Sequence, residues 1–186
     1  MLVKRQGSKL AMSRTTVDDC LFVCSRDDKW IAEQIEMLKT AFDEITVETG
    51  DELSLVGMHI RMDRAKKQVI ITQPKHVERI IETFEVVKGA PSPALGKLMA
   101  DDVDSPLLKE QAEYMSKCAM LMFISQRTYP EIRPAVIKLS TKYNKVTEDD
   151  MRKAVRVAEY IYGCKNTHKL VLNPRSMRLV SAADAL

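Results

Sequence analysis

Across residues 53 to 87 the apolar pattern changes its period, and that change restricts the chain to folds that mix sheet and helix. LSLVGMHIRMD (53–63) and KQVIITQ (67–73) read as strands. Asp63-Arg64-Ala65-Lys66 lies between them and fits a hairpin connection. QPKHVERIIETFEVV (73–87) switches to helical spacing: Val77, Ile80, Ile81 and Phe84 form one stripe, and Pro74 suits the first helical position. Gly57 falls inside the first apolar run, where it marks a bulge, a close backbone approach or a packing contact.

The pattern on either side extends this alternation. LAMSRTTVDDCLFVC (10–24) reads as two short strands around a tight turn at Asp18-Asp19. Ser25, Asp27 and Asp28 then open an amphipathic helix over about 28–44, with Ile31, Ile35, Leu38, Phe42 and Ile45 on one face and Gly50 as its breaker. From Lys88 to Pro106 prolines, glycines and DDVDS predict a linker or long surface loop. Three helices follow. The first carries Leu108, Met115, Ala119, Met122 and Ile124; the second starts at Pro130; the third starts at a capping box on Thr147 and Asp150 and stops at Gly163. The methionines read as core filling. HKLVLNP and RLVSAADAL predict a closing hairpin with its turn at Asn173-Pro174. The expectation is an α+β fold, β-rich at the N-terminal end and helical towards the C-terminal end.

Composition narrows the function classes. The 186 residues are 45% apolar and 30% charged, which predicts a folded core, and 29 basic against 26 acidic residues leave a net charge of only +3. That balance does not by itself imply nucleic acid. Basic residues nonetheless cluster at Lys4-Arg5, Arg61 to Lys67, Arg152 to Arg156 and Arg175 to Arg178, and a solvated surface is the simpler account of such clusters. Cys20, Cys24, Cys118 and Cys164 lack a CxxC spacing, so zinc is not expected and reduced thiols are. No apolar run approaches membrane-spanning length and no signal-peptide core is present, which predicts a soluble intracellular protein without membrane insertion.

The adjacent carboxylates carry the candidate chemistry. Two Asp on a turn offer hard oxygen ligands for Mg²⁺, and two-metal nucleotidyl transfer uses such ligands to clamp the attacking and leaving oxygens. Adjacent side chains diverge, so a third carboxylate from a neighbouring strand is required. A plain turn is the competing explanation of Asp18 and Asp19.

Five stretches resemble one family in the same order. TTVDDCLFV is similar to the Tyr-Val-Asp-Asp hairpin of copia-type retrotransposon reverse transcriptases, with Thr16 in the place of the aromatic residue. GDELSLVGMHIRMD resembles their Gly-x-Leu-x-x-Leu-Gly-x-x-Ile stretch through Leu53, Gly57 and Ile60. ITQPKHVERIIETF resembles their Gln-x-x-Tyr-x-x-x-x-Leu-x-x-Phe helix through Gln73, Ile81 and Phe84, with His76 in place of Tyr. SQRTYPEIRPAVIKLS is similar to Thr-Arg-Pro-Asp-Ile-x-x-Ala-Val-x-x-Leu-Ser through Thr128, Pro130, Ile132, Ala135, Val136, Leu139 and Ser140, with Tyr129 where Arg is usual. VRVAEYIYGCKNTHKLVL, followed by SAADA, resembles the passage into the first acidic strand of the ribonuclease H domain.

The resemblance implies a division into a partial palm (1–73), a thumb-like helix and linker (74–106), a helical connection region (107–165) and the start of a ribonuclease H-like domain (166–186). It implies Asp18 and Asp19 as Mg²⁺ ligands and catalytic residues, Asp184 as a ribonuclease H carboxylate, and Lys66, Lys67 and Lys75 as contacts to a primer–template backbone. The family's other palm carboxylate lies upstream of this hairpin, and about 16 residues precede the pair here. The expectation is therefore a fragment, truncated or degenerate, that does not polymerise as this chain alone. The alternative is a domesticated remnant serving as a structural or binding subunit of a protein or nucleoprotein assembly, with no small-molecule cofactor.

Overall fold

The computed structural model describes residues 2–6, 9–16, 19–24, 28–42, 44–94, 96, 104–142 and 145–173. The fold is α+β, and it divides into two compact units, Met1–Val56 and Gly57–Leu186.

In the first unit, β1 (Leu2–Gln6), β2 (Lys9–Thr16) and β3 (Asp19–Cys24) form an antiparallel meander. Thr16 pairs with Asp19, so β2 and β3 are joined by positions 17 and 18; the connection is short as expected, but Asp19, expected in the turn, is the first residue of β3. β1 was not anticipated: LVKRQ has only two apolar residues, although Gly7-Ser8 after it is a two-residue hairpin signal. The helix α1 (Asp28–Ala41) follows, and Trp30 meets Phe22 of β3 edge-on at 5.9 Å. Phe42, expected on the apolar face, lies beyond the last turn and is 59% exposed. The strand β4 (Glu52–Leu55) ends the unit.

The second unit holds the main core. Its strands β5 (Met58–Asp63) and β6 (Gln68–Thr72) pair antiparallel with Asp63 opposite Gln68. Asp63 Oδ1 accepts from the Lys66 amide at 2.9 Å, which closes the connecting turn. Gly57 is not inside a strand: Val56 (φ +47) and Gly57 (φ +72) are consecutive left-handed residues in a turn between β4 and β5. A continuous apolar run conceals such a turn when only one of its two residues is glycine. The strand β7 (Leu170–Leu172) pairs antiparallel with β6. Its expected partner, RLVSAADAL, lies outside the described residues.

Five elements of helix complete the unit: α2 (Pro74–Thr83), α3 (Gln111–Ser125), a 3-10 turn (Pro130–Ile132), α4 (Arg133–Ser140) and α5 (Glu148–Cys164). Ile80, Tyr114, Cys118, Leu121, Ile124, Ile132, Val136, Val157 and Ile161 are fully buried where these helices meet. The residues that α3 buries are Tyr114, Cys118, Leu121, Ile124 and Ser125. Of the sequence pattern, Ile124 is on this face, while Met115, Ala119 and Met122 fall one residue beyond it. α3 is apolar nearly all round, so periodicity cannot choose its inner face. Two polar groups settle there because they are satisfied: Tyr114 donates to the Leu139 carbonyl at 2.9 Å, and the Cys118 thiol stays neutral. Met120 and Met122 pack at the margin of the core, while Met115 is 43% exposed.

Described residues of the stretch after Lys88 meet α5. Ala90 N donates to Glu159 O at 3.1 Å, Arg156 Nε to Ser92 O at 3.1 Å, and Asp149 N to Ser105 Oγ at 3.0 Å. Gly163 does not end α5, which continues to Cys164. A Cβ on Gly89 would stand 2.8 Å from Gly163 Cα, so these two glycines are the contact that lets the strap approach. The capping box on Thr147 forms as predicted, with Thr147 Oγ1 accepting from Asp150 N and Asp150 Oδ2 accepting from Thr147 N.

Candidate functional site

Three of the sequence-predicted site residues are carboxylates. Asp19 is the first residue of β3, backbone-paired with Thr16. Asp18 and Asp184 lie outside the described residues. Among the described residues no three His, Cys, Asp or Glu side chains are grouped so as to hold a metal ion.

The three predicted contact lysines are exposed but not gathered together. Lys66 and Lys67 sit at the tip of the β5–β6 hairpin, where Lys67 adopts φ +56 and Lys66 lies 3.9 Å from Asp63. Lys75 is in the first turn of α2. At about 3.3 Å per residue, the five-residue β6 separates hairpin tip from helix start by about 17 Å.

The second unit does bring together two stretches of the resemblance that are far apart in sequence. Gln73 occupies the N-cap position of α2, yet makes no side-chain cap bond. Its amide turns inward instead: Thr128 Oγ1 donates to Gln73 Oε1 at 2.8 Å, both residues being buried. Two positions that depart from the family pattern are absorbed close by. His76 donates from Nε2 to the Met120 carbonyl at 2.9 Å and lies 4.7 Å from the Phe123 ring. Tyr129 stacks on His168 at 3.9 Å, and burial pushes its hydroxyl far above the ordinary phenol range. His168 in turn donates from Nε2 to Thr128 O at 2.6 Å, with Glu131 Oε1 3.4 Å from its Nδ1.

Beside this junction is a cleft of about 500 Å³ between the β5–β6 sheet face and the Lys165–Lys169 turn after α5. Its wall includes Arg61, Thr72, Gln73, Lys165 and Lys169, and no Asp or Glu is among the described residues that line it. Gln73 Nε2 is a buried donor without a hydrogen-bond partner. Sequence reading noted Arg61 within a basic cluster but not Lys165 and Lys169. The signal for them was KNTHK directly after a helix, two cations four residues apart on a turn.

Comparison with known proteins gives one match of significance. The retrovirus-related Pol polyprotein from transposon TNT 1-94 of Nicotiana tabacum is 29% identical over 128 residues, covering 64% of this chain. The chain spans 9% of that polyprotein's length. No family model matches, and no solved structure matches. The polyprotein match supports a retroelement origin for the chain.

Proposed function

We propose that this chain is a segment of a copia-type RNA-directed DNA polymerase, running from the palm hairpin through the connection region, and that it serves as a nucleic-acid-binding element of a larger assembly. The observation that carries this reading is the Gln73–Thr128 contact. It joins, within one core, the two stretches that resemble the family's Gln-led helix and its Thr-Arg-Pro-Asp segment. The match to a retroelement Pol polyprotein supports the same ancestry.

The reading assigns no polymerisation step to the chain by itself. Two adjacent carboxylates such as Asp18 and Asp19 do not by themselves make a two-metal site, which needs further oxygen ligands from a neighbouring strand. In a complete site Mg²⁺ would polarise the reacting phosphate and lower the pKa of the attacking hydroxyl. What this chain's own residues do is bind: Lys66, Lys67 and Lys75 provide exposed positive charge to a phosphate backbone.

Fluorescence anisotropy with an RNA–DNA hybrid duplex tests this directly. Expected are binding that weakens steeply with salt, a smaller salt slope in Lys66→Glu and Lys67→Glu, unchanged binding in Asp18→Asn, and no primer extension with Mg²⁺. Absence of binding at low ionic strength overturns the reading. Extension that disappears in Asp18→Asn would make the chain a polymerase.

A further inference from the structure

We propose that the cleft beside Gln73 is a binding site for a phosphate group. Three observations converge on an anion. Arg61, Lys165 and Lys169 line one cleft of about 500 Å³, a volume typical of small-ligand sites. No carboxylate lies among its described lining residues. Elsewhere in this unit cations do meet carboxylates of the chain, Lys153 with Asp149 and Lys117 with Glu113.

The third observation concerns Gln73, which is 2% exposed. Its Oε1 is occupied by Thr128, while its Nε2 has no acceptor. A buried amide donor is retained without a partner at a cost, and a ligand oxygen removes that cost. A phosphate supplies acceptor oxygens for the amide together with the negative charge that the guanidinium and the two ammonium groups favour. Thr72 is on the same wall. The Lys165 ammonium lies 4.2 Å from the Tyr162 ring centre, a contact that leaves its charge uncompensated.

The site is separate from the three lysines assigned to duplex contact, and the outcome here is independent of whether the chain binds a hybrid duplex. Two sources deliver such a group: a free small phosphate, or the phosphate of a nucleic-acid strand. The full chain, isotope-labelled, is titrated with pyrophosphate, with a 5′-phosphorylated trinucleotide and with its 5′-hydroxyl counterpart, while the Gln73 side-chain amide and the backbone amides of Asn166 and Lys169 are followed by NMR. Saturable shifts of these signals are expected with at least one phosphate probe. Lys169→Glu, at an exposed position, is expected to weaken the binding at least tenfold while leaving the spectrum of the core unchanged. Saturation by pyrophosphate alone assigns the site to a free phosphate, and saturation by a trinucleotide assigns it to a strand. Linear, unsaturating shifts with all three, or equal affinity in Lys169→Glu, overturn the proposal.

Discussion

Thr128 Oγ1 donates to Gln73 Oε1 across 55 residues of sequence, and neither residue is more than 2% exposed. The bond ties the start of α2 to the turn that follows α3. Its two ends are not equivalent. Thr128→Val strands Gln73 Oε1 as a buried acceptor and is expected to cost about 1–3 kcal/mol. Gln73→Leu strands the Thr128 hydroxyl but also removes the unpartnered Nε2, so it should cost less. The double variant, apolar at both positions, should recover most of the loss. Urea unfolding of the four proteins measures this. Single-variant costs that simply add would show that the contact carries no coupling.

Cys118 is buried at the centre of α3, and that burial is the main reason its thiol is pushed up to about 11, with Asp150 adding to the effect and the Tyr114 hydroxyl partly offsetting it. The thiolate is the reactive form. At about pH 8 an alkylating reagent should therefore modify the exposed Cys20 and leave Cys118 intact until the second unit unfolds. Peptide mass spectrometry across a urea series reads this out, with Cys118 modification tracking the unfolding transition. Modification of Cys118 at the rate of Cys20 in native buffer would contradict the core described above.

Much of the second unit was legible because its signals are local. Pro74, the Thr147 capping box and Asp63 in the β5–β6 turn each act within a few residues, and each forms as the sequence implies. The misplaced features depend on partners distant in sequence. The Lys88–Pro106 stretch reads as a linker or loop because proline and glycine exclude regular structure, and the bonds of Ala90 and Ser92 to α5 have no local signal. The inner face of α3 was hidden by its all-round apolarity. The cleft drew on Arg61, Gln73 and Lys169, which no motif groups; only the antiparallel register of β6 with its neighbours brings them to one wall.

The acid limb of stability should report Asp149. The Lys153 ammonium, hydrogen-bonded to its carboxylate, and Arg152 beside it hold its pKa below the ordinary 3.8. A depressed carboxylate pKa stabilises the folded state above the unfolded value, and that contribution disappears as pH falls through the folded one. Stability of the second unit should thus decline from about pH 4 downward, and Asp149→Asn should flatten part of that decline. Near neutral pH the substitution should cost no more than about 1 kcal/mol, because the pair is at the surface. Thermal unfolding at stepped pH provides the comparison. An Asp149→Asn curve parallel to the parent through the acid range would remove the pair from the account.

The two glycines at the strap should respond unequally to alanine. A Cβ on Gly89 would meet Gly163 Cα at 2.8 Å, so the backbone of the strap or of α5 has to move. A Cβ on Gly163 would meet Ala90 O at 3.3 Å and N at 3.4 Å, tighter than ordinary contact but within reach of a small adjustment. Gly163 is also inside α5, where alanine gains about 1 kcal/mol in helix propensity. Gly89→Ala is therefore expected to destabilise the unit by about 1–3 kcal/mol, in the range of overpacked contacts. Gly163→Ala should be close to neutral, since the propensity gain offsets the crowding. Limited proteolysis adds a second readout: in Gly89→Ala, cleavage between Lys88 and Ala94 should accelerate as the Ala90–Glu159 and Ser92–Arg156 bonds loosen. Equal losses in the two variants, with cleavage unchanged, would mean that the glycine contact does not hold the strap against α5.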